Sequence, residues 1–342
     1  MRAITVLCVM LVMQVRHATP VTRVLPVMLV ILSKEETVTD IDRPALERVI
    51  AVINGKGGVL KTTLVANIAG MLAASNFRVL VVDLDPQGNL AEDFGYSEDP
   101  RNDEGKSLAA ALMLGTDPVA IRGIRPNLDI LVGGEHLDTA AAGLAAMQGK
   151  DPDRSKLALA RALEKLAPEY DAVLLDCPPG DELLQTNAVA AARWALVPVK
   201  SDKSSRKGLT AVARRLDAVL SVNPDLDLLG VVLVDVGTGS RRIIREARMH
   251  ISEMFGRDDV TLNATVRHSE ATAQATRERG VLVAELDEAV RNGPTWVEIR
   301  RGEADAADAG PRTAGSVADD LQAITQEVVA RFVAAEKQEM SA

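Results

Sequence analysis

The residues best placed to do chemistry lie in Asn54-Gly55-Lys56-Gly57-Gly58-Val59-Leu60-Lys61-Thr62-Thr63. An apolar β-type run, Val49 to Ile53, precedes them, and a helix-like run, Leu64 to Ala74, follows. A glycine-rich turn between a strand and a helix N-terminus cradles phosphate, because backbone N–H groups and the positive end of the helix dipole converge on an anion. Lys61 is then placed to reach the β- and γ-phosphates, and the Thr62 hydroxyl to ligate Mg²⁺. The pattern is close to GxxxxGK[ST], with two departures. A second lysine, Lys56, stands at the start of the loop, and Leu60 occupies the position where glycine is expected before Lys61. Glycine permits backbone angles that a branched side chain resists, so Leu60 puts turnover in question.

Two acidic motifs accompany the loop. In Arg78-Val-Leu-Val-Val-Asp83-Leu-Asp85-Pro86-Gln87-Gly88-Asn89, an apolar strand ends in carboxylates at i and i+2, which share one side of the strand. Paired acids there suit Mg²⁺ and the positioning of water near phosphates; a solvated Asp-Pro turn is the competing reading. In Tyr170-Asp171-Ala-Val-Leu-Leu-Asp176-Cys177-Pro178-Pro179-Gly180, an apolar strand delivers a single acid, Asp176, in the manner of a Walker B site. Cys177 reads as a small buried hydrophobe.

The elements that must position these groups alternate. Strand-like runs fall at Val49–Ile53, Val79–Asp83, Leu128–Val132, Ala172–Asp176, Ala195–Val199, Gly230–Asp235 and Val260–Thr265, with helical stretches such as Ser155–Leu166 and Arg241–Phe255 between them. Near-continuous Val/Leu/Ile runs are the mark of parallel strands buried on both faces. The expected fold is α/β: a doubly wound, mainly parallel sheet with helices on both faces and ligands at the carboxyl ends of the strands. Residues 302–315 read as a linker. Ser316 then caps an amphipathic helix with Val317, Leu321, Ile324, Val328 and Phe332 on one face.

With these motifs in order, the chain resembles the ParA-type DNA partition ATPases, the deviant Walker A P-loop class related to MinD. The resemblance runs from about Arg48 to Asp287 and is carried by KGGVxKTT (Lys56–Thr63), VVDLDPQGN (Val81–Asn89), LLDCPPG (Leu174–Gly180), TNAV (Thr186–Val189) and VRHSEA (Val266–Ala271). It implies ATP and Mg²⁺ as ligands. Lys56 matches the signature lysine that crosses a sandwich homodimer to the partner's ATP. Lys61 and Thr62 match the phosphate lysine and the Mg²⁺ threonine, with Gly57, Gly58, Val59, Leu60 and Thr63 completing the loop. Asp85 matches the acid that orients the attacking water, Asp83 its neighbour near the metal, and Asp176 the Walker B acid. Asn187 falls in a segment facing the nucleotide. The resemblance also implies ATP-driven dimerisation, release on slow hydrolysis, a ParB-like centromere-binding partner, and a cytoplasmic, nucleoid-associated place of action. The chain resembles the short type, which binds DNA without sequence preference.

A basic stripe fits that last expectation. Arg241, Arg242, Arg245 and Arg248 lie on one candidate helix, and Arg241, Arg245 and Arg248 share a face suited to phosphate contacts. A solvated face with Glu246 and Glu253 as counter-charges is the competing reading. The resemblance adds Arg267 as a second DNA contact; Arg214 and Arg215 are weaker candidates, and His268 reads as incidental.

Composition sets outer limits. The chain has 342 residues, 47% hydrophobic and 25% charged, with only 2% aromatic, so the core is built mainly from Val, Leu, Ile and Ala. A net charge of −9 argues against nucleic acid over the whole surface, but not against a local basic face. Cys8 and Cys177 cannot form a disulfide framework and supply no iron–sulfur ligand set. Residues 1–45 read as an N-terminal extension, disordered or upstream of the true start, with Met28 as one candidate start. The apolar runs Ala3–Met13 and Val24–Leu32 are each shorter than the roughly 20 residues that span a bilayer. The ATPase domain is expected over 46–302, with the linker and C-terminal helix over 303–342. Two rivals stand beside the partition ATPase. One is a nucleotide- or DNA-binding adaptor in which Leu60 blocks hydrolysis. The other is a MinD-like membrane ATPase, disfavoured by the acidic polar face of the C-terminal helix (Asp319, Asp320, Glu327, Glu336).

Overall fold

All seven apolar runs form strands, and an eighth joins them at one edge. The computed structural model describes residues 41–201, 205–237, 241–294, 296–303 and 310–339. Most of the expected N-terminal extension and part of the expected linker lie outside these residues. The strands are β1 (Val49–Val52), β2 (Val79–Asp83), β3 (Ile121–Arg125), β4 (Leu128–Leu131), β5 (Ala172–Asp176), β6 (Trp194–Lys200), β7 (Asp227–Val236) and β8 (Thr261–Arg267). The longer helices are α1 (Lys61–Ala74), α2 (Lys106–Leu114), α3 (His136–Gln148), α4 (Glu182–Ala191), α5 (Ser205–Val219), α6 (Arg241–Phe255), α7 (Glu270–Arg279), α8 (Val283–Asn292) and α9 (Ala314–Glu339).

The sheet order is β3-β4-β2-β5-β1-β6-β7-β8, with every neighbouring pair parallel except β3 and β4. β1, β2 and β5 are buried along their whole length, as their unbroken apolar sequences require. Side chains on the two sheet faces fill separate apolar layers. One layer includes Leu80, Leu175 and Leu159; the other includes Leu64, Ile68 and Leu321. β3 escapes the sequence reading because Ile-Arg-Gly-Ile-Arg has neither a continuous nor an alternating apolar pattern.

Two helical expectations change. The stretch read as one helix, Ser155–Leu166, is divided into short helices at Pro152–Lys156 and Ala158–Leu163. The helix α9 begins at Ala314, so Ser316 lies inside it and does not cap it. Its apolar face is as expected: Val317, Leu321, Ile324 and Val328 are buried, and Phe332 meets Trp194 edge-on at 6.3 Å. That face packs on β8, α1 and α8 within the same layer, so α9 is packed into the main body. No described helix is long and apolar enough to cross a membrane.

Candidate active site

Strand register brings the acids together. Asp83 of β2 is paired with Asp176 of β5, and Asp176 is paired with Val52 of β1, from which the glycine-rich loop departs. The two carboxylates and the loop therefore meet at the carboxyl ends of three adjacent strands. Asn54 ties the loop down: its Nδ2 donates to the Pro198 carbonyl at 2.8 Å, and its Oδ1 accepts from the Lys56 N–H at 3.0 Å. Gly58 turns the chain at φ +67°, and Val59 anchors it in the apolar layer. Leu60 follows at φ 58°, ψ 28°, the left-handed region, and α1 starts at the next residue with no side chain capping its first N–H groups. Those donors suit an anion.

Lys61 is buried, and its Nζ donates to the Lys56 carbonyl at 2.9 Å, inside the curl of the loop. Burial lowers its pKa, with Asp176, Cys177 and Asp85 opposing. Lys56 lays its stem across α5: a Cβ on Gly208 would stand 3.6 Å from the Lys56 Cδ and Cε. Asp83 is fully buried; its Oδ1 accepts the Asp85 N–H at 2.9 Å. Asp85 holds the next turn by accepting the Gln87 N–H at 2.9 Å.

A metal fits this donor set. Asp83 Oδ2 and both oxygens of Asp176 are buried without a hydrogen-bond partner, which a hydrated divalent cation between them would supply. Burial pushes the Asp83 carboxyl well above its ordinary range, with Asp176 adding to the rise. Burial likewise raises Asp176 to about 7; the Thr62 hydroxyl, nearby but outside hydrogen-bonding geometry, and the Lys61 ammonium oppose that rise. These are the signs of carboxylates gathered for a positive ligand.

The structure thus brings together Lys56, Gly57, Gly58, Val59, Leu60, Lys61, Thr62, Thr63, Asp83, Asp85 and Asp176. It leaves Asn187 out. The Asn187 Nδ2 donates to the Ser155 carbonyl at 3.0 Å and its Oδ1 accepts the Leu159 N–H at 3.2 Å. These two groups would bond each other in a continuous helix, so Asn187 occupies the turn that divides the expected helix. Its remaining amide hydrogen goes to Leu183. The expectation of nucleotide contact is corrected: the side chain is consumed by packing.

Arg267 is also committed elsewhere. It forms a two-pronged pair with Asp320 of α9 at 2.7 and 2.8 Å, and its N–H bonds the same carboxylate. Arg215 pairs with Gln185 and Glu182 and is mostly buried. Arg241, Arg242 and Arg245 do lie exposed on α6, whose other side, Ile244, Ala247 and Ile251, meets the core. Arg242 reaches Glu246 and Arg248 reaches Asn263, so the counter-charged reading holds in part.

Sequence reasoning missed a second polar group beside the loop. Asp235, at φ 58° near the end of β7, receives Lys200 Nζ at 2.6 Å and pairs with His268 Nδ1. Burial raises the Asp235 carboxyl, but Lys200 and His268 outweigh it and leave it below the ordinary value. His268 is therefore not incidental. The three residues come from three strand ends far apart in sequence, and no local spacing announces them.

A family described as an AAA domain matches residues 47–228. The chromosome partitioning protein ParA of Caulobacter vibrioides is 34% identical over 233 residues, covering 66% of this chain and 83% of the relative. The chain belongs to the ParA family. Among solved structures, cobyrinic acid a,c-diamide synthase from Mycobacterium smegmatis, with bound ATP analogue and magnesium, is 28% identical with a TM-score of 0.56, covering 75% of this chain and 97% of that one. The cell division ATPase MinD of Pyrococcus furiosus shares the fold, with a TM-score of 0.54 at 24% identity over 82% of this chain and 100% of that one. These likenesses agree with the expected α/β fold of the deviant Walker A class. As a family member, the chain carries the ParA phosphate loop with leucine in place of one glycine.

Proposed function

We propose that this ParA-family chain is a DNA-partitioning ATPase that binds ATP with Mg²⁺, dimerises, holds DNA without sequence preference and lets go on hydrolysis. The observation that carries the reading is the buried Lys61 beside the strand ends where Asp83 and Asp176 leave buried oxygens without partners, with Asp85 at the same strand end. Lys61, the N–H groups of the loop and the start of α1 receive the triphosphate. Thr62, Asp83 and Asp176 would hold Mg²⁺ and its water shell; the ion would neutralise charge on the phosphates. Asp85 orients the water that attacks the γ-phosphorus; the γ-phosphoryl–oxygen bond breaks and ADP leaves with the electron pair. Lys56, at the loop's outer edge, completes the site of a second copy. The exposed arginines of α6 contact DNA phosphates, and a ParB-like protein accelerates turnover, as in partition systems acting on the nucleoid in the cytoplasm.

The membrane reading loses its support, because the apolar face of α9 is buried in the core and unavailable to lipid. The non-hydrolysing adaptor is the second reading, carried by the left-handed backbone of Leu60 in the phosphate loop. The test is ATP turnover with and without duplex DNA for wild type, Lys61→Ala and Asp85→Ala. Slow wild-type turnover, at least 100-fold lower in each variant, supports the motor. Absence of wild-type turnover under all conditions rejects it.

A further inference from the structure

Leu60 occupies a backbone conformation that costs a non-glycine residue energy, in a loop where glycine would be free of that cost. Strain of this kind persists where the side chain brings a compensating gain. Its surroundings suggest the gain. Leu60 is half-buried against the apolar layer and lines a cleft of about 270 Å³ that opens from the phosphate loop between Gly58 and Thr63. Val266 and Ala273 add apolar lining, and Lys200, Asp235, Arg267, His268 and Glu270 add charged and polar lining, with Lys200 and His268 both paired to Asp235. That volume lies just under the roughly 300–1,000 Å³ of small-molecule pockets, enough for part of a ligand whose phosphates lie outside it. With the triphosphate over the loop, the nucleoside has this cleft beside it.

We infer that Leu60 is a nucleoside-contacting residue: its side chain is the apolar wall on which the base and sugar of a nucleoside triphosphate pack. This rests on the loop being the triphosphate site. It reverses the sense in which the sequence departure is read, because the leucine then adds contact with the nucleotide instead of impairing the loop. Lys200, Asp235 and His268 supply polar partners in the same cleft, and Leu60 supplies the surface that a bare triphosphate cannot use.

The experiment is calorimetric titration of wild type, Leu60→Gly, Leu60→Ala and Lys61→Ala with magnesium ATP and, separately, with magnesium tripolyphosphate. Leu60 leaves at most about a third of its surface open to a ligand, and covering that much corresponds to about fourfold in affinity. Leu60→Gly is expected to bind ATP about fourfold more weakly and tripolyphosphate as tightly as wild type. Leu60→Ala keeps a side chain at the strained position and is expected to behave alike, which covers the case in which the glycine variant does not fold. Lys61→Ala is expected to weaken both ligands. ATP binding by either leucine variant as tight as wild type, or an equal loss for both ligands, overturns the inference while leaving the triphosphate site intact. Failure of wild type to bind either ligand overturns the triphosphate site itself, and this inference with it.

Discussion

At the scale of residues, the site is defined by what surrounds Asp83. The carboxylate has no solvent around it, one oxygen without a partner, and Gly133 packed directly against it. A Cβ on Gly133 would stand 2.5 Å from the Asp83 Cγ, closer than any real contact. Gly133→Ala must therefore push Asp83 out of register with Asp176. We expect at least a tenfold fall in ATP turnover with circular dichroism close to wild type, since the clash is with one side chain and not with a strand. Leu60 bears strain of about 1–2 kcal/mol from its left-handed backbone. Relief of that strain should raise the thermal midpoint of Leu60→Gly if nothing else changed. The loss of apolar packing opposes it, so we expect a shift of no more than a few degrees by scanning calorimetry.

At the scale of elements, the loop after Asp85 is held by the helices after β8. Asp93, on the short helix Leu90–Phe94, is buried and lies 3.5 Å from Arg277 of α7. Arg125 of β3 bonds the Phe94 and Gly280 carbonyls and Glu285 of α8. Burial raises the Asp93 carboxyl to about 6, with Arg277 opposing. An acid with a folded-state pKa above its unfolded value contributes stability that is fully present below about 4 and lost as pH rises through about 6. Asp93→Asn should thus gain about 1–3 kcal/mol relative to wild type between pH 4.5 and 7.5, read from urea midpoints at both pH values. The arginine helix makes a contrasting prediction. Arg241→Ala and Arg245→Ala should each weaken duplex DNA binding severalfold and lower the salt slope by about one, measured by fluorescence anisotropy. Arg267→Ala should act mainly on stability, by about 1 kcal/mol in urea unfolding, because its partner is Asp320.

At the scale of the whole molecule, α9 closes the fold. Leu321 and Ile324 are fully buried against the layer that contains α1 and β8. The C-terminal amphipathic helix thus contributes to the cleft beside the phosphate loop, with Val317 lining it. Leu321→Ala should cost about 2–5 kcal/mol in urea unfolding, and removal of residues 314–342 should leave a chain that does not fold cooperatively. An excess of acidic charge over the whole chain, −9, coexists with exposed arginines concentrated on α6. DNA binding is therefore expected to fall steeply between 50 and 200 mM salt.

Much of this protein could be read from the chain, for physical reasons that differ by feature. The strands were legible because a strand buried on both faces must be apolar without interruption, as β1, β2 and β5 are. The loop and its acids were legible because phosphate and metal chemistry demand particular residue types at short spacing, from Lys56 to Thr63 and from Asp83 to Asp85. Only the tertiary structure decided what long-range pairing spends. Asn187 is spent on the broken turn at Ser155–Leu159, Arg267 on Asp320, and His268 on Asp235. A side chain's type states what it can bond, but its partner is set by which strand ends and helix faces the sheet order brings within about 3 Å.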